Sequence, residues 1–174
     1  MLRRRELMAK IMPKVALLWY GDQCIQNTGG WKFPKTLSSK GNIFDSKEGC
    51  LSFHREMNKQ NVSLMIEGAS VKAGRMSVHT KEKVRFSGCT SIIIDVSIEK
   101  TGGFCSLYIR NDVPDNVNAL TGNIASFLLI NGINVIDIRG YNLSEHYISI
   151  CVCQWDRNGN YAKITANINR VWME

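Results

Sequence analysis

Residues 92–99 alternate strictly: Ile92, Ile94, Val96 and Ile98 fall in one set, and Ile93, Asp95, Ser97 and Glu99 in the other. A period of two puts each set on its own face of an extended strand, and the β-branched side chains favour that backbone. The same period recurs along the chain. Val62, Leu64 and Ile66 alternate with Ser63, Met65 and Glu67, and Cys105, Leu107 and Ile109 with Ser106, Tyr108 and Arg110. Ile148, Ile150 and Val152 alternate with Tyr147, Ser149, Cys151 and Cys153, and Ile164, Ala166 and Ile168 with Thr165, Asn167 and Asn169. Ile136 and Ile138 flank Asp137, and residues 51–54, 71–73, 77–79 and 84–86 are shorter candidates. The stretch 125–130 is apolar without a 3.6-residue period and also reads as strand.

Turn chemistry separates these segments. Asn158-Gly159 is a hairpin signal, and Thr101-Gly102-Gly103, Asn131-Gly132, Thr121-Gly122-Asn123 and residues 112–116 with Pro114 mark further turns. Short strands spaced about ten residues apart predict a sandwich or barrel of antiparallel sheets. Residues 2–12 have helix formers before Pro13, which makes a boundary between a short N-terminal arm, 1–15, and an all-β body, 16–174.

The charge is uneven. The chain carries a formal +7, of which residues 1–14 hold +4: Arg3, Arg4, Arg5, Lys10 and Lys14 against Glu6. The remaining 160 residues hold 17 basic and 14 acidic groups, a net of +3. A basic arm suits an acidic patch or anionic surface, with Arg3, Arg4 and Arg5 for charge and Leu2, Leu7, Met8 and Ile11 for apolar contact with a partner. Lys10, Pro13 and Lys14 interrupt the apolar run a secretion signal needs, so no secretion signal is expected. No apolar run reaches the roughly 18 residues of a membrane-spanning helix, so no membrane role is expected. The body's dispersed Lys and Arg make nucleic acid a poor partner.

Six cysteines form no C-x-x-C pair, and His54, His79 and His146 fall in no metal-binding spacing. Cys151 and Cys153 share a strand face but lack a second pair, so they read as small buried hydrophobes. Residues 112–115, with Asp112 and Asp115, read as a turn rather than a calcium loop. No nucleophile elbow, phosphate loop or dinucleotide fingerprint occurs, and Gly29-Gly30 and Gly102-Gly103 read as turns. The expectation is a non-enzyme without metal or cofactor. Aromatic side chains offer a binding reading, because sugar C–H faces stack on Trp and Tyr. Trp31, Trp155, Tyr141 and Tyr161 are the candidate glycan-binding residues.

Residues 17–31, LLWYGDQCIQNTGGW, carry Gly21, Asp22, Cys24, Thr28, Gly29, Gly30 and Trp31 in a pattern that resembles the opening of small jelly-roll domains in phage virion proteins. The region with Asp137-Ile138 and Tyr147-Ile148 is similar to the ending of carbohydrate-binding-module-like jelly rolls, and MLRRREL resembles the starts of phage structural proteins. The resemblance implies a two-sheet jelly-roll β-sandwich that serves as a non-enzymatic virion component in a tail, fibre or decoration. It would be made in the host cytoplasm, dock on other virion proteins through its arm, assemble as a homo-oligomer and contribute to host attachment. The alternative is a glycan-binding module for bacterial surface polysaccharide.

Overall fold

The computed structural model describes residues 16–20, 31–33, 51–57, 61–69, 74–112, 123–154 and 160–174. The arm, Trp155, the Asn158-Gly159 turn and the 71–73 candidate lie outside these residues. Within them every regular element is a strand: β1 Ala16–Tyr20, β2 Trp31–Lys32, β3 Leu51–Met57, β4 Val62–Ala69, β5 Gly74–Thr80, β6 Val84–Arg85, β7 Ser91–Lys100, β8 Phe104–Arg110, β9 Asn123–Leu129, β10 Gly132–Asp137, β11 Glu145–Gln154 and β12 Tyr161–Met173. No helix among the described residues is long and apolar enough to cross a membrane.

The strands form two sheets with antiparallel pairing throughout. The first runs β10-β7-β12-β4-β3, with β1 also on β12, and the second β2-β5-β11-β8-β9, with β6 also on β11. β4 pairs with residues 161–168 of β12 and β1 with residues 170–173, so the two follow one another along the longest strand. The chain passes repeatedly from one sheet to the other, and the fold is a jelly-roll β-sandwich.

The alternation in the sequence fills the space between the layers. Leu64, Ile66, Ile92, Ile94 and Ile164 of the first sheet meet Val78, Leu107, Ile109, Ile148 and Ile150 of the second, all fully buried. Each such side chain contributes on the order of 1.5–3 kcal/mol by leaving water. Along β12 the inward set is Ile164, Ala166 and Ile168, then Val171 and Met173. The step of three arises at a β-bulge opposite β7 between Ile168 and Arg170, where one extra residue reverses which side chains point inward. Arg170 and Trp172 therefore face out.

The Asn131-Gly132 turn does not close a hairpin. It carries the chain from β9, an edge of the second sheet, to β10, an edge of the first. The Asn134 amide holds this corner: its Oδ1 accepts from the Ile130 N–H at 2.8 Å, and its Nδ2 donates to the carbonyls of Ile130 and Gly132 at 2.8 and 3.0 Å. Cys105, Cys151 and Cys153 are free and buried, and Cys89 is half-buried. Burial pushes the Cys151 thiol up to about 12, which leaves it a packing group at neutral pH.

Candidate functional site

Among the described residues the outward face of the first sheet is polar and partly exposed along β4 and β12. Tyr161, the first residue of β12, is 64% exposed. Its hydroxyl donates to Glu67 Oε2 on β4 at 3.0 Å, and the carboxylate partner raises the phenol pKa. Lys163 stands opposite Glu67 in register, with its Nζ 3.7 Å from the same oxygen. The backbone around Lys163 is held from the other side: its N–H donates to Thr101 Oγ1 at 2.9 Å and its carbonyl accepts from the Thr101 N–H at 2.8 Å.

Farther along the same face, Thr165 lies opposite Met65 and Glu99, and Asn167 opposite Ser63 and Ser97. Asn169 Nδ2 donates to Ser97 Oγ at 3.3 Å. Beyond the bulge, the Arg170 guanidinium sits 4.4 Å from the Trp172 ring centroid, and Trp172 Nε1 donates to Glu174 Oε1 at 3.0 Å. The face thus carries an aromatic ring at each end, with hydroxyls and amides between them. Such a surface can stack an apolar face of a ligand and take its hydroxyls by hydrogen bonds.

The outward face of the second sheet is polar but buried. His79, Ser149 and Tyr108 form one cross-strand row, and Ser77, Cys151 and Ser106 the next. All six are less than a tenth exposed, as is Arg110 at the end of β8. Tyr108 and Cys151 pack together apart from the main core. Among the described residues the hydroxyls of Ser77 and Ser149 find no partner. His79 Nδ1 donates to its neighbouring Thr80 carbonyl at 2.9 Å. Arg110 Nε donates to the Asp112 carbonyl at 3.3 Å, and its NH2 group lies 3.6 Å from the Asp112 carboxylate.

Burial holds the His79 imidazole below its ordinary pKa. It does the same for His146, helped by Lys83. His146 Nε2 accepts from the Ser144 N–H at 3.3 Å while Nδ1 donates to Asn111 Oδ1 at 3.1 Å, an arrangement that requires a neutral ring. Histidines of the unfolded chain titrate at about 6.5, so they take up protons at higher pH than these two do in the fold. The stability they contribute is full above that value and is lost as the pH falls through it toward the folded values. Thermal melts from pH 7.5 down to 5 are expected to show a falling midpoint. A midpoint that is flat or rises over that interval would contradict the neutral assignments.

The aromatic candidates among the described residues do not converge. Trp31 is a correction: it is 4% exposed and belongs to the core between the sheets, where β2 lines up with Thr80 of β5. A ring buried on the inward face cannot stack a sugar. Trp155 lies outside the described residues. Tyr141 is 40% exposed and stands edge-on to Phe127 of β9, with ring centroids 5.6 Å apart. Tyr161 is the candidate that meets an exposed face with polar partners. Those partners, Glu67 and Lys163, were not singled out from sequence; Glu67 is 94 residues from Tyr161, and only the β4–β12 register joins them. Among the described residues no three His, Cys, Asp or Glu side chains are grouped to hold a metal ion.

Several solved structures are similar in fold. One is a low-affinity xylan-binding module from the gut symbiont Roseburia intestinalis, at 12% identity over 83% of this chain and 92% of that one, with a TM-score of 0.43. A family 29 carbohydrate-binding module from Piromyces equi aligns at 12% identity over 92% and 89% of the two chains, TM-score 0.39. The enzymatically active domain of tailspike protein 4 from bacteriophage CBA120 aligns at 10% identity over 85% of this chain and 20% of that one, TM-score 0.42. At these values the likeness assigns neither ligand nor role. No protein-family model matches the sequence. No curated protein matches it either.

Proposed function

We propose that this jelly roll is a non-catalytic glycan-binding module that takes bacterial surface polysaccharide on the open face of its first sheet. The observation that carries the reading is Tyr161, an exposed ring fixed through its hydroxyl beside Glu67 and Lys163. The ring supplies a stacking platform, and the carboxylate and ammonium supply an acceptor and donors for sugar hydroxyls. Recognition here makes and breaks no covalent bond. In a pull-down on host cell-wall polysaccharide the wild type is expected to be retained. Tyr161→Ala is expected to bind roughly ten- to a hundredfold more weakly, the scale of losing an aromatic anchor. Tyr161→Phe keeps the ring and is expected to lose less. Equal retention of wild type and Tyr161→Ala would exclude this face, and shortening of the polysaccharide on incubation would exclude a purely binding role.

A second reading places the module in a phage particle. It is supported by the pattern of residues 17–31 and by the basic charge of residues 1–14. The two readings are compatible, since a domain on a virion surface can hold the host glycan, and symmetric display multiplies weak single sites. Mass spectrometry of purified particles tests it: the chain is expected among their proteins, and its absence would remove the virion reading while leaving glycan binding intact.

A further inference from the structure

At the β9–β10 corner four aliphatic side chains stand in water: Leu128 at 67% exposed, Ile130 at 67%, Ile133 at 65% and Val135 at 71%. Together they present on the order of 500 Å² of apolar surface, within the range of the largest apolar patch on a typical monomer, which is often functional. They border an open groove of about 640 Å³ between the two strands, which also takes in Phe127 and Asn134.

The strands themselves are unfinished. Among the described residues β10 pairs with β7 alone and β9 with β8 alone, so each leaves one edge of backbone donors and acceptors open. Exposed edges are normally guarded by lysine, proline, a bulge or a covering segment. Residues 132–137, Gly-Ile-Asn-Val-Ile-Asp, contain no Lys or Pro, and their pairing with β7 runs without a bulge.

Charge decides among occupants. The chain's net +7 opposes self-association in general. This face is an exception: among the described residues Asp137 is the one charged residue lining the groove, and it is neutralised by Arg139, whose Nε and NH2 group reach the carboxylate at 3.0 and 2.5 Å. A mainly aliphatic, locally neutral face offers nothing to a phosphate backbone, and its four most exposed side chains, Leu128, Ile130, Ile133 and Val135, carry no group to bond a sugar hydroxyl. It matches another face of the same kind.

We infer that the β9–β10 corner is a two-fold self-association face, on which β10 pairs antiparallel with β10 of a second copy of this chain. Pairing centred on Asn134 sets Ile133 of one copy opposite Val135 of the other, with both side chains on the outward face. Centring on Val135 would instead oppose Ile133 to Asp137. The first register joins apolar to apolar and extends the sheet through the axis, as a closed isologous contact requires. With the flanking Phe127 and Tyr141 the face approaches the ~800 Å² per partner of a standard interface.

The experiment is a sedimentation series on the full chain over a range of concentration. The wild type is expected to reach a mass twice the 19.6 kDa of one chain. Val135→Lys is expected to weaken the dimer roughly thirtyfold or more, as loss of a central anchor does. Ser52→Lys, on β3 at the opposite edge of the same sheet, is expected to leave it unchanged. A wild type that stays monomeric, a Val135→Lys protein that stays dimeric, or open-ended growth of the wild type would each overturn the inference. If Val135→Lys does not fold, hydrogen exchange of the wild type decides: amides of residues 132–137 slow with rising concentration if the face pairs, and exchange independently of concentration if it does not. Glycan binding at Tyr161 is a separate readout, so either proposal can fail without the other.

Discussion

Replacing Gly103 by alanine is expected to lower the thermal midpoint by roughly 10 °C or more, on the scale of 2–4 °C per kcal/mol for a chain of this size. Gly103 has φ +105°, where an L side chain is strained by about 1–3 kcal/mol. A Cβ there would also run into the backbone carbonyl oxygen of Cys153 and lie 3.0 Å from the Cys153 carbonyl carbon and Gln154 Cα. β11, which carries those atoms, is bonded to β8 on one side and β5 on the other, so it cannot step back without breaking a ladder. Gly132 is the control. Its φ is +101°, but nothing lies within 4 Å of a Cβ built on it. Gly132→Ala is therefore expected to show the strain alone, and the difference between the two melts measures the clash. Equal midpoints would contradict the close approach of the β7–β8 turn to β11.

The second large effect separates neighbouring positions of one strand. Ile94 is fully buried between the sheets, while Ser97, three residues on, is exposed. Ile94→Ala is expected to cost about 2–5 kcal/mol, the transfer energy of the lost atoms plus the cavity they leave. Against a total stability of roughly 5–15 kcal/mol, that is a large share. Ser97→Ala is expected to stay within ~0.5 kcal/mol, as exposed substitutions usually do. Denaturant titration of both variants reads the contrast directly, with the slope unchanged and only the midpoint of Ile94→Ala moved. Similar losses at both positions would mean that β7 is covered on both faces.

Much of the layered fold was legible in residues such as these. A strict period of two with isoleucine and valine leaves one face for the core, and the inward sets read from β4, β7, β8 and β11 are buried between the sheets, except that Ile98 near the end of β7 is half-buried. Where the pattern misled, a non-local partner decided. Trp31 follows two glycines and looked like a loop-borne platform, but pairing with β5 turns it inward. Ile93 belongs to the outward set yet is 4% exposed, because Trp172 and Val135 are its cross-strand neighbours. Asn131-Gly132 read as a turn and is one, but sequence does not record that the strands it joins, β9 and β10, belong to different sheets.

The candidate site was half legible for the same reason. Tyr161 could be named from its type and place beside a turn signal. Glu67 and Lys163 could not be named, because the contact between β4 and β12 is set by register across most of the chain. The apolar corner was hidden in another way: Leu128 and Ile130 read as ordinary strand residues, and Ile133 and Val135 drew no reading of their own until the topology placed their strands at two edges. The buried polar rows on the second sheet were equally silent, since serine at alternate positions normally signals a solvated face.

The most direct measurement is a nuclear magnetic resonance titration of the isotopically labelled full chain with oligosaccharides cut from bacterial cell-wall polysaccharide. Saturable shifts are expected to gather on residues of the open face, at Tyr161, Glu67, Lys163 and Thr165, and to vanish in Tyr161→Ala. Shifts gathered instead on the His79, Tyr108 and Ser149 row, or no saturable shift with any fragment, would contradict a glycan site on the first sheet.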